Sequence, residues 1–104
     1  MFKLEVDPEF TATVEIPVPG KPSERVKFKF RHKTLDEFET LMDGVAKKES
    51  TPQDVVRQFV AGWEAPGVEF SEEALNTCLQ IFPGSTLAII TTYRAALTEA
   101  RRKN

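Results

Sequence analysis

The first third of the chain alternates apolar and polar residues with a period of two, and the alternation stops at Thr34. Phe2, Leu4 and Val6 alternate with Lys3, Glu5 and Asp7. Ala12, Val14, Ile16 and Val18 alternate with Thr11, Thr13, Glu15 and Pro17, and Val26, Phe28 and Phe30 with Arg25, Lys27, Lys29 and Arg31. Successive side chains of a strand point to opposite faces, so this pattern predicts a sheet with one buried and one wet face. Pro17 has no N–H to give to a ladder, which puts strand 11–18 at an edge or ends it near Pro17. Pro19-Gly20-Lys21-Pro22-Ser23-Glu24 reads as a loop too long for a two-residue hairpin.

Beyond Thr34 the apolar spacing becomes helical. Thr34-Leu35-Asp36-Glu37 is a capping box, followed by the stripe Leu35, Phe38, Leu41, Met42 and Val45. Thr51-Pro52-Gln53-Asp54 places a cap, a first-turn proline and an acid in their favoured order. Val56, Phe59, Val60 and Trp63 continue at helical spacing, and Gly62, Pro66 and Gly67 end that helix. Ser71 caps a third helix whose first turn holds Glu72 and Glu73, with Phe70 placed to staple onto Leu75. Pro83-Gly84-Ser85 separates a fourth helix with the stripe Leu87, Ile90, Tyr93 and Leu97. The expected fold class is therefore α+β: N-terminal antiparallel strands, then about four helices packed on one face. The 104 residues suit a single domain, β-rich over 1–33 and helical over 34–104.

Catalytic chemistry has few residues to work with. The one histidine, His32, lies between Arg31 and Lys33, where neighbouring cations favour its neutral form, but no nucleophile is marked for it to serve. The one cysteine, Cys78, sits among apolar helix residues and reads as a small core hydrophobe. One of each cannot assemble a tetrahedral zinc centre. The pairs Asp36/Glu37 and Glu72/Glu73 fall in first helical turns, where capping and the macrodipole account for them. No enzyme activity, cofactor or metal is expected. The single cysteine, the lack of a basic-then-apolar start and the lack of a long apolar run point to a protein made and kept in the cytoplasm.

The net charge of −2 is too balanced to advertise nucleic acid or an anionic membrane. The stretch 25–33, with Arg25, Lys27, Lys29, Arg31 and Lys33, is the exception and raises a nucleic-acid-binding or regulatory module as the rival reading. Period two sets Phe28 and Phe30 on one face and the cations on the other, so they do not form one platform. Trp63 reads as an anchor whose indole N–H caps a turn carbonyl, or alternatively as an interface hot spot.

The helical half has a more specific likeness. The run Val55-Val56-Arg57-Gln58-Phe59-Val60-Ala61-Gly62-Trp63, then Gly67-Val68, Phe70-Ser71-Glu72-Glu73-Ala74-Leu75, Phe82-Pro83-Gly84 and Tyr93 resembles the tail assembly chaperones of long-tailed bacteriophages. The likeness covers about residues 35–100. Many members carry a longer acidic insert where this chain has only Glu64-Ala65-Pro66-Gly67-Val68-Glu69. The resemblance implies a protein that holds the long tape measure protein in the host cytoplasm, recruits tail tube subunits, and is absent from the finished virion. It also implies self-association into weak oligomers that line a long client. Partner-binding positions expected on this basis are Trp63, Phe70, the apolar positions Ile81, Phe82 and Ile89, the 11–18 edge, and the basic Arg101, Arg102 and Lys103.

Overall fold

β1 (Glu9–Val18) and β2 (Lys21–Arg31) form an antiparallel hairpin. The structure is a computed structural model that describes residues 1–99. The hairpin turn is tighter than the sequence suggests. Val18 pairs with Lys21 across Pro19-Gly20, and Gly20 has φ +75°. Proline then glycine is the pair that a type II turn favours, because the second corner needs positive φ. The register slips between Ile16 and Val18, flanking Pro17, so the missing N–H is absorbed as an irregularity in an edge strand.

α1 (Leu35–Ala46) and α2 (Pro52–Phe59) start where their capping boxes place them. Thr34 Oγ1 accepts from the Glu37 N–H at 3.2 Å, and the Glu37 carboxylate accepts from the Thr34 N–H at 2.8 Å. Thr51 and Asp54 repeat the exchange at 3.2 Å each way. These backbone donors hold both carboxyls below the usual carboxylate range, which accounts for the acids as caps.

The helix expected to run to Trp63 instead ends at Phe59, and Val60–Glu64 forms a third strand, β3, within the half of the chain expected to be helical. β3 pairs antiparallel with β2, giving the order β1-β2-β3. Gly62 disfavours helix by about 1 kcal/mol, and the outer edge of β2 offers this segment a ladder. The register slips between Lys29 and Phe30, so Ala61 is an extra residue. That bulge resets the parity and lets Val60 and Trp63, three positions apart, both turn inward. The same spacing is what imitates a helix in the sequence.

α3 (Glu72–Ile81) and α4 (Ser85–Thr98) complete the α+β architecture. Ser71 Oγ caps α3 through the Ala74 N–H at 2.9 Å. α4 lies along β1 and against α2, α1 leans on α2, and α3 leans on α4. The core gathers Val14, Ile16, Phe28, Phe30 and Val60 from the sheet with Phe38, Val55, Val56, Phe59, Leu75, Leu79, Ile89, Ile90 and Tyr93 from the helices. Tyr93 is at its centre, stacked on Phe59 with 4.0 Å between ring centroids and 3° between planes, and edge-on to Phe30 at 5.2 Å.

Three further expected features differ, the first being Leu35, which heads the α1 stripe yet is exposed. On α4 the buried face runs through Thr86, Ile89, Ile90 and Tyr93, while Leu87, expected on the stripe, is exposed. The alternating residues Phe2, Leu4 and Val6 form no strand and are exposed, since the described sheet offers them no pairing.

Candidate functional site

β3 positions Trp63 opposite Phe28, part-way along β2. Its indole Nε1–H donates to the Val68 carbonyl at 2.9 Å, so the tryptophan caps a turn carbonyl as the sequence suggests, though from a strand. Gly67, with φ +80°, bends the intervening segment back to make that bond possible. Phe28 meets the indole edge-on at 5.7 Å and Phe70 at 5.1 Å with rings at 90°. Phe70 thus buttresses Trp63 from behind.

A cleft of about 660 Å³ opens between α3 and the strands. Its sheet wall is Ile16, Val18, Val26, Phe28 and Trp63; its helix wall is Ala74, Cys78, Ile81 and Phe82. The small side chains of Ala74 and Cys78 leave space between the two walls. Ile81 and Val68 stand exposed at the mouth, and Glu24, Arg25, Glu64 and Glu73 form a rim of mixed sign. A volume of this size suits the apolar side chains of a bound segment.

The structure therefore brings Trp63, Ile81 and Phe82 to one cleft with Phe70 behind it. Ile89 is not an open apolar position: it is fully buried in the core, because the inward face of α4 is turned from the one the spacing suggests. Arg101, Arg102 and Lys103 lie outside the described residues. Sequence reasoning missed Val26, Ala74 and Cys78. Their signal is the second, lesser stripe Ala74-Cys78-Ile81 beside the core stripe Leu75-Leu79 on α3. Cys78 is half-buried on the cleft wall and not in the core, and burial pushes its thiol up, which keeps it protonated and unreactive.

The wet face of the sheet carries the basic stripe. Phe28 and Phe30 are buried beneath it, so no aromatic accompanies the cations. Arg25 stands opposite Glu15 and Arg31 opposite Glu9, while Lys27 lies 3.5 Å from the Glu64 carboxylate. Arg31 also donates to the Val60 carbonyl at 2.8 Å, fastening β3 to β2. Of the stripe's cations, Lys27 is the one ion-paired among the described residues. His32 is half-buried, and its backbone N–H donates to the Pro8 carbonyl at 2.9 Å. Among the described residues no three His, Cys, Asp or Glu side chains converge as a metal site, and no single helix is long and apolar enough to cross a membrane.

Neither curated proteins nor solved structures give a match to the chain. A family model described as phage tail assembly chaperone matches residues 1–104, the full length given. The chain belongs to the phage tail assembly chaperone family.

Proposed function

We propose that this chain holds the tape measure protein during tail assembly, in the host cytoplasm, and recruits tail tube subunits that displace it. It acts by binding alone, with no chemical step, and does not remain in the finished virion. The observation that carries this reading is the apolar cleft between α3 and the sheet, open to solvent at Val68 and Ile81. A tape measure protein is long and helical, and an amphipathic helix presents apolar anchors at i, i+3, i+4 and i+7 that suit such a groove. Family membership supports the same job.

The test is co-expression of the tape measure protein with this chain, wild type or carrying Ile81→Asp. The wild-type chain is expected to keep the client soluble and to co-purify with it. A carboxylate at the mouth of an apolar groove is desolvated by the client, and co-purification should fall about tenfold or more. A client that stays soluble with no co-purifying chain, or equal recovery with the variant, would count against the proposal.

A further inference from the structure

The lip of the cleft nearest Trp63 is acidic. From residue 64 to residue 73 the chain carries Glu64, Glu69, Glu72 and Glu73 and neither lysine nor arginine. All four are exposed. Glu72 and Glu73 belong to the first turn of α3, where the helix dipole favours them. Glu64 and Glu69 have no such duty: one ends β3 and the other lies between β3 and α3. The hydrogen bond from Trp63 to Val68 bends this segment so that Val68 stands at the mouth, with Glu64 and Glu73 on the rim. Among the described residues Lys27, 3.5 Å from Glu64, is the one cation paired with any of the four, and an exposed pair of that kind contributes little. The opposite rim, Glu24 and Arg25, is balanced in charge.

We infer that the cleft takes an amphipathic helix whose apolar anchors are flanked by lysine or arginine on the side that meets the 64–73 lip. The site is the apolar groove between α3 and the strands; the carboxylates decide which apolar segments can lie in it. Lysine and arginine suit this lip because their long apolar stems can lie along Val68 and Ile81 while the charged heads reach the carboxylates. A segment flanked by aspartate or glutamate meets like charge at close range beside an apolar wall and is turned away. Screening at ordinary salt extends over about 8–10 Å. The selection therefore acts on residues seated at the lip and not on the charge of the whole partner.

This selection rests on the function proposed above and deepens it. Of all the helical stretches along a tape measure protein, the chain holds those with basic flanks and passes over equally apolar ones with acidic flanks.

Titration of the full chain with three synthetic peptides tests the selection, read by the emission of Trp63, the only tryptophan. The peptides lack tryptophan, share one apolar helical face, and carry lysine, glutamine or glutamate on its flanks. At low salt the lysine peptide is expected to bind about tenfold more tightly than the glutamate peptide, with glutamine between them and the gap narrowing as salt rises. A lip variant (Glu64→Gln, Glu69→Gln and Glu73→Gln together) should lose most of that preference. A variant of the same net charge altered on the far side of the molecule (Asp36→Asn, Glu39→Gln and Glu49→Gln together) should keep it. Equal binding of the lysine and glutamate peptides, a preference that survives in the lip variant, or one lost equally in both variants would each overturn the inference. If the glutamine peptide still bound and Ile81→Asp weakened it, the cleft would stand as the docking groove and only its choice of flank would fall. If no peptide moved the Trp63 emission, the inference and the cleft-based reading of function would fall together.

Discussion

Replacing Tyr93 by alanine is expected to destabilise the fold by about 3–5 kcal/mol, most of what a domain of this size has to lose. The ring is fully buried and is the one side chain that touches aromatics from α1, α2, β1 and β2: Phe38, Phe59, Phe10 and Phe30. Its hydroxyl donates to the Arg31 carbonyl at 2.7 Å, closing the end of β2 onto α4. Alanine therefore removes packing from every layer at once and leaves a cavity that a sheet and three helices cannot all collapse to fill. Tyr93→Phe keeps the stack and loses only the hydrogen bond, about 1 kcal/mol. Chemical denaturation followed by circular dichroism measures both. A Tyr93→Ala midpoint near that of the wild type would mean that the core does not depend on this ring.

The same burial makes a pH prediction. Burial pushes the Tyr93 phenol up to about 12, whereas in the unfolded chain it ionises near 10. Between those values the unfolded chain has released a proton that the folded one retains. Stability is therefore fully present below about pH 10 and falls as pH rises toward 12. Tyr93→Phe should flatten that decline. Tyr93 is the only tyrosine, so phenolate absorbance reports on it alone. Ionisation near 10 in the folded chain would contradict the buried placement.

The features most legible in the sequence are those decided locally. The caps at Thr34, Thr51 and Ser71 and the alternation of β1 and β2 each depend on residues a few positions apart, and each is where the pattern puts it. Apart from the tight turn at Pro19-Gly20, the departures depend on partners distant in sequence. Val60 and Trp63 have a spacing that suits either a helix or a bulged strand, and only the free edge of β2 decides between them. Phe2, Leu4 and Val6 alternate as well as β1 does, yet a strand needs a neighbour that the described sheet does not supply. On α4, Leu87 and Ile89 are equally apolar, and which one faces inward follows from how the helix sits on β1. The cleft was half legible for the same reason. Ile81 and Phe82 stand out as apolar residues the helical stripes leave over, whereas Val26 and Ala74 become wall only once α3 and the strands come to face each other.

Trp63→Ala is expected to cost about 2–4 kcal/mol, less than a fully buried ring because the indole is only half-buried. The loss combines two edge-to-face contacts, to Phe28 and Phe70, with the hydrogen bond that holds Val68 over the cleft. Client retention should fall with it, since one wall of the groove and the latch of the Glu64–Phe70 segment disappear together. Trp63→Phe separates the two. It keeps an aromatic wall but has no N–H for the Val68 carbonyl, so it should cost about 1 kcal/mol in stability and retain most client binding. The wild-type chain also reports on itself: Trp63 is the only tryptophan, and its emission should shift when the cleft is filled. Thermal unfolding first finds the temperature at which Trp63→Ala is still folded, and pull-down of the tape measure protein at that temperature gives the answer. If the folded Trp63→Ala chain held its client as well as the wild type, the cleft would not be where the client binds. If Trp63→Phe lost the client as completely as alanine did, the latch would matter and the wall would not.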